Sequence, residues 1–132
     1  MKIEEQVLSI EQMKHLQELG VDTSDASMCW LRYDVGGVVK QYVEINDVKW
    51  HEWSRATPYP TYTIGELIEK LPKNIEGSFL LIEFCASDLG YGDWDCEELH
   101  GINAQQRFND KSLKEALYDL LCWVAENHKE LL

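Results

Sequence analysis

Asp93, Asp95 and Glu97 alternate with Trp94 and Cys96, so an extended backbone would carry all three carboxylates on one face. With Asp88 and Glu98 close by in the chain, the row offers the hard oxygen ligands that calcium or magnesium takes. An EF-hand loop, however, holds its acids, its central glycine and its closing glutamate in a register that this stretch does not follow. A solvated strand face accounts for the same residues, and no metal ligand is assigned. Cys96 and His100, with Cys85 upstream, are softer ligands. No C-x-x-C pair occurs, and a structural zinc site draws its ligands from such close pairs.

Nucleophilic chemistry would need a cysteine beside His15, His51, His100 or His128, an arrangement defined in space and not by spacing. No G-x-S-x-G elbow is present. His15 and His128 fall in polar helical surroundings and are expected at the surface. Cys29 in a strand and Cys122 in a helix are expected to be buried, inert thiols. Gly36-Gly37 and Gly90-Tyr91-Gly92 are not followed by a helix start with a lysine placed to hold phosphate. No catalytic residue and no cofactor is expected.

Trp50-His51-Glu52-Trp53, with Tyr59 and Tyr62 downstream, has the composition of a binding surface. Tryptophan and tyrosine combine large contact area with a polar tip, which enriches them in interface hot spots. Trp50, Trp53, Tyr59 and Tyr62 are therefore the candidate partner-binding residues. A loop folded back over the sheet, with its tryptophans closing the core edge, would use the same side chains.

The elements that must position these residues are marked by their ends. Ser9-Ile10-Glu11-Gln12 is a capping box, and Gly20 supplies a left-handed stop. Thr63-Ile64-Gly65-Glu66 repeats the device ahead of Ile64, Leu67, Ile68 and Leu71, and Pro72 ends that short helix. Ser112-Leu113-Lys114-Glu115 opens a third helix with a stripe of Leu113, Ala116, Leu117, Leu120, Leu121 and Val124. Its apolar arc exceeds half the circumference, which predicts a helix set between two neighbours or at a dimer contact.

Strand signals run over 27–33 and 38–45, flanking Asp34-Val35-Gly36-Gly37, whose glycines permit a tight hairpin. Residues 79–86 form the strongest strand, with Leu80, Ile82 and Phe84 on one face and a mixed opposite face. A Gly90-Tyr91-Gly92 turn leads into an acidic strand near 94–99, suited to an exposed edge. Residues 46–61, holding Pro58 and Pro60, read as irregular. The order α-β-β-α-β-β-α with short turns predicts an α+β fold: an antiparallel sheet of about four strands with three helices packed on it.

A chain of 132 residues with 45% hydrophobic content is expected to form a single α+β domain over 1–132. The balance of 24 acids against 12 Lys and Arg, net charge −12, repels nucleic-acid phosphate and anionic lipid, so neither nucleic acid nor membrane is expected as a partner. Met1-Lys2-Ile3-Glu4-Glu5-Gln6 has acids where an export signal needs basic residues, and no stretch approaches the ~18 apolar residues of a membrane span. Cys29, Cys85, Cys96 and Cys122 then read as reduced thiols in a cytoplasmic protein.

Three stretches carry a resemblance: 8–30, which opens Leu8-Ser9-Ile10-Glu11-Gln12-Met13; 62–73, Tyr62-Thr63-Ile64-Gly65-Glu66-Leu67 onward; and 113–123, Leu113-Lys114-Glu115-Ala116-Leu117-Tyr118 onward. They resemble the start, middle and end of a set of short uncharacterised proteins from gut anaerobic bacteria, many of phage-like or mobile-element origin. Pro58-Tyr59-Pro60-Thr61-Tyr62-Thr63 and the final helix are also similar to the phage ABA-sandwich domain. Neither resemblance implies an activity or a catalytic residue. Together they imply a phage-related accessory protein with a single α+β domain.

The sequence thus predicts a small acidic, non-enzymatic domain acting by protein–protein interaction, with a protein partner or a homodimer through the last helix. Mutual repulsion of two −12 subunits opposes the homodimer, although physiological salt screens charges beyond roughly 8 Å. Two alternatives come from other classes: an acidic nucleic-acid mimic inhibiting a basic protein, and a small metal-dependent hydrolase using the Asp88 to His100 region.

Overall fold

Side-chain caps set the helices of the computed structural model, which describes residues 2–47, 56–83, 88–92, 106–107 and 112–132. Helix α1 spans Ile10–Glu18. The Ser9 hydroxyl accepts from the Gln12 amide at 3.1 Å, and Gln12 Oε1 accepts from the Ser9 amide at 3.0 Å. At the other end Gly20, with φ of 88°, lets the Gly20 and Val21 amides turn back onto the carbonyls of Gln17 and Leu16. This is a Schellman closure, and it satisfies carbonyls that would otherwise lack partners.

The chain falls into two compact units, Met1–Glu66 and Leu67–Leu132. In the first, strands β1 (Met28–Val35), β2 (Val38–Ile45) and β3 (Thr57–Thr61) form an antiparallel sheet in the order β2-β1-β3. The expected hairpin is present, but its loop is only Gly36-Gly37, at φ of 61° and 82°, and Val35 pairs directly with Val38. Two consecutive positive φ values suit the twist of a two-residue hairpin, so β1 runs further than 27–33.

A stretch expected to be irregular ends in β3, where Pro58 pairs with Leu31 and Pro60 with Cys29. Proline is tolerated because β3 is an outer strand of this sheet, where the missing N–H can face away from the ladder. Val7 adds a single bridge to Thr63, and the Leu8 amide donates to the Tyr62 carbonyl at 3.1 Å.

The sheet's two faces bury different groups. Trp30 and Val43 join Val7 and Ile10, with Met28 and Tyr59 packed against them; on the opposite face Cys29 and Leu31 join Ala56 and Tyr33. The Leu8 carbonyl accepts from Trp30 Nε1 at 2.8 Å and from Thr61 Oγ1 at 2.7 Å, both buried. Both side-chain donors inside the core are thereby satisfied, which avoids the penalty of an unpaired buried polar group.

Helix α2 spans Ile64–Lys70, and the division between units falls within it. Its predicted box is formed: the Glu66 amide donates to Thr63 Oγ1 at 3.2 Å, and the Thr63 amide donates to Glu66 Oε1 at 3.1 Å. The helix ends before Pro72, where Lys73 Nζ donates to the carbonyls of Ile68 and Leu71.

The second unit holds a separate antiparallel sheet, β4 (Asn74–Ile75), β5 (Ser78–Glu83), β6 (Asp88–Gly92) and β7 (Gln106–Arg107), ordered as numbered. The single four-stranded sheet and the order α-β-β-α-β-β-α are therefore corrected: the fold is α+β with three helices among the described residues and two small sheets. Gly90-Tyr91-Gly92 lies within β6 and is not a turn, with Gly90 opposite Leu81 and Gly92 opposite Phe79. Burial explains the difference. Leu89 and Tyr91 are wholly buried, and the Tyr91 hydroxyl donates to the Pro72 carbonyl at 2.9 Å.

Of the apolar side chains described on β5 the buried one is Leu81, from the face read as mixed, while Leu80 and Ile82 are only partly covered and Phe79 is exposed. The acidic strand expected near 94–99 lies outside the described residues.

Helix α3 spans Leu113–Asn127, capped by the Ser112 hydroxyl, which accepts from the Glu115 amide at 3.2 Å. Ala116, Leu117, Leu120, Leu121, Cys122, Val124 and Ala125 are all buried. Most of the stripe read from the sequence is thus covered within the chain itself, while Leu113 is half-buried. Its end is closed by the His128 amide on the Val124 carbonyl, followed by a 3-10 turn, Lys129–Leu131.

Candidate functional site

The two-residue loop dictates what the β1–β2 ribbon presents. Val35 and Val38 close the loop as a hydrogen-bonded pair, so the even-numbered residues of β2 point their backbone groups at β1. The Asn46 amide continues this parity by donating to the Ser27 carbonyl at 2.9 Å. Val39, Gln41, Val43 and Ile45 therefore direct their N–H and C=O outward, and no strand among the described residues pairs with that side.

The ribbon's side chains are unusually apolar for an exposed edge. Val35, Val38 and Val39 are 52%, 58% and 54% exposed, and Ile45 is 66% exposed. Tyr42 is exposed as well and meets Tyr33 edge-to-face, with ring centroids 5.7 Å apart. Pairing places Val35, Tyr33, Val38, Lys40, Tyr42 and Glu44 on one face, because directly opposed residues share a face of the pleat. The hairpin itself is legible in the sequence. The adjacent Val38-Val39 beside the turn is the signal that its distal half would be apolar and uncovered.

Of the four expected partner-binding residues, Tyr59 and Tyr62 fall among the described residues. Trp50 and Trp53 lie outside them. Tyr59 is half-buried against the Trp30 cluster, and Lys14 Nζ sits 5.2 Å from its ring centroid. Tyr62 is 1% exposed and faces the interior, with its hydroxyl within hydrogen-bond distance of the Asp22 carbonyl (2.8 Å) and Asp25 Oδ1 (2.6 Å). Burial and then the neighbouring Asp25 push the Tyr62 phenol well above its ordinary range. Tyr62 thus acts as an internal tie in this unit.

The titratable groups behave as structural ones. Burial, followed by the Glu44 charge, pushes the Cys29 thiol up, and burial raises the Cys122 thiol to about 11. Neither is a thiolate near neutral pH, so neither has nucleophile character. His15 is exposed, its Nδ1 3.6 Å from Glu18 Oε2. His128 departs from expectation: its side chain is 15% exposed and packs 5.3 Å from the Trp123 ring, where the end of α3 folds over.

Asp93, Asp95, Glu97, Cys85, Cys96, His51 and His100 lie outside the described residues. Among those described, no group of three His, Cys, Asp or Glu side chains could hold a metal ion, and no helix is long and apolar enough to cross a membrane. The chain matches no family model, and no curated protein or solved structure is detectably similar to it.

Proposed function

We propose that this chain is a small, acidic, non-enzymatic protein-binding domain, and that the distal half of the β1–β2 ribbon makes the contact. The observation that carries the reading is the exposure of Val35, Val38 and Tyr42 on one face of the ribbon and of Val39 on the other, around a rigid two-residue loop. Exposed apolar side chains clustered on one element gain most from being covered by a partner. A net charge of −12 turns the reading toward a protein partner and away from nucleic acid or anionic lipid. In this reading the chain is a cytoplasmic accessory protein of the phage-like kind its sequence resembles.

The test is a triple variant, Val35→Thr, Val38→Thr and Val39→Thr, which keeps β-branching while removing the apolar surface. Because all three are exposed, melting should stay within about 0.5 kcal/mol of the wild type. Capture of the partner from the native cell should be lost. Undiminished capture by a well-folded variant overturns the assignment.

A further inference from the structure

We infer that the outer edge of β2 pairs antiparallel with β2 of a second copy of this chain, Tyr42 facing Tyr42 across the two-fold axis. The inference rests on the reading of the ribbon as the binding element and names its partner. Three features of β2 lead to it.

The first is backbone parity. Val39, Gln41, Val43 and Ile45 carry the outward-facing N–H and C=O groups, as fixed by the Gly36-Gly37 loop and the Asn46 to Ser27 bond. A symmetric antiparallel partner can exchange bonds only between residues of this odd set. Centring on Tyr42 sets Gln41 opposite the second copy's Val43 and Val39 opposite its Ile45, so every hydrogen-bonded pair is drawn from that set. The Ile45 carbonyl already accepts from the Asp47 amide at 2.9 Å, so the ladder rests chiefly on the two symmetry-related Gln41–Val43 pairs.

The second feature is charge. In this register Lys40 of each copy lies opposite Glu44 of the other, at non-hydrogen-bonded positions where side chains approach most closely. Shifting the axis to Lys40 would instead set the two lysines against each other. Axes at Gln41 or Val43 parity leave Lys40 facing Tyr42 or Asn46 and remove the charge pairing. Among the symmetric registers that satisfy the backbone, centring on Tyr42 is the one that pairs Lys40 with Glu44.

The third is the apolar pattern. The same register brings exposed Val39 beside exposed Ile45 of the other copy, at both ends of the ladder. The axis itself brings two exposed tyrosines together, each already braced by its own Tyr33. A sheet edge of this length without such self-complementarity would be a hazard for indiscriminate pairing. Here the charges select one register and one closed two-fold assembly.

The experiment is sedimentation equilibrium in buffer of about 0.15 M salt, where charges farther apart than roughly 8 Å are screened. It uses the wild type, Lys40→Glu, Glu44→Lys, the double reversal and an equimolar mixture of the two single variants. The wild type should show a concentration-dependent dimer. Each single variant places like charges opposite each other twice and should weaken dimerisation at least tenfold. The double reversal and the mixture should both restore it, because each re-forms opposite-charge pairs in this register.

Gln41→Pro removes an outward N–H without touching the β1 ladder, and it should also give monomers. A wild type that stays monomeric at every concentration overturns the inference, as does a dimer that both single variants and Gln41→Pro leave intact. A monomeric wild type whose partner capture is still abolished by the triple threonine variant overturns the self-pairing alone and leaves the ribbon as the binding element.

Discussion

The hydroxyl of Tyr62, the last residue before the α2 capping box, reaches Asp25 Oδ1 at 2.6 Å across a sequence separation of 37 residues. The same oxygen lies 2.8 Å from the Asp22 carbonyl, so one phenol proton serves two acceptors in the turn that leads into β1. Tyr62 thereby ties the start of the central strand to the segment following β3. Tyr62→Phe keeps the ring and deletes the tie. It should cost about 1 kcal/mol in a urea melt, because the part-buried hydrogen bonds to the Asp22 carbonyl and the Asp25 carboxylate are lost.

A second tie converges on Glu66. Its carboxylate accepts from the Ser27 amide at 3.0 Å and the Ser27 hydroxyl at 2.7 Å, as well as from the Thr63 amide. Glu66→Ala should destabilise by about 1–2 kcal/mol, the combined effect of a lost cap and lost bonds to Ser27, the residue before β1. Ser27→Ala removes only the hydroxyl contact and should cost less. Paired denaturant melts compare the two, and equal losses would contradict this account.

Stability should fall at alkaline pH. Burial raises the phenols of Tyr62, Tyr91 and Tyr118 above the ordinary 10.0 and the Cys122 thiol from 9.0 to about 11. Each group holds its proton in the folded chain at pH values where the unfolded chain has released it. Their contribution is complete below about pH 9 and is lost as pH rises toward the folded-state values. Urea melts between about pH 8 and 10.5 should show this slope, and Tyr91→Phe should flatten it.

Thiol labelling should follow burial. Cys29 and Cys122 are both buried and free, with thiols raised above the ordinary value. Residue-resolved alkylation at neutral pH should leave both unmodified in the native protein and modify both in urea. Rapid native labelling of Cys122 would contradict its placement in α3.

The Glu76-Gly77 loop carries local strain that can be relieved. Glu76 is the one described non-glycine residue at positive φ, 49°, in the two-residue link between β4 and β5. Asparagine tolerates that region far better. Glu76→Asn should raise stability by about 1 kcal/mol in thermal or urea melts. No gain would mean that the loop relaxes without cost.

Local chemistry made much of this fold readable from the residues alone. Ser9 with Gln12 and Thr63 with Glu66 form their boxes because donor and acceptor are three residues apart. Gly20 and Gly36-Gly37 stop or reverse the chain because positive φ costs glycine little. The apolar stripe of α3 announced a helix and its apolar face, since spacing by itself defines that face. None of these needs a distant partner.

Where the sequence reading diverged, a distant partner decided the outcome. Residues 46–61 read as irregular, yet β1 offers 57–61 a ladder whose outer side tolerates Pro58 and Pro60. Gly90-Tyr91-Gly92 has the residues of a turn, yet Leu81 and Phe79 pair across its glycines and the Pro72 carbonyl receives the Tyr91 hydroxyl. The same applies to binding: Tyr62 is among the candidate contact residues and is interior, whereas Val38 and Val39, read as ordinary strand residues, and Val35, read as part of the turn, are exposed. The residue types determined the caps, the tight hairpin and the α+β class through bonds closed within a few residues. The division into two sheets and the choice of which apolar side chains face solvent were decided only in the tertiary structure, because burial depends on what the rest of the chain brings to cover a residue.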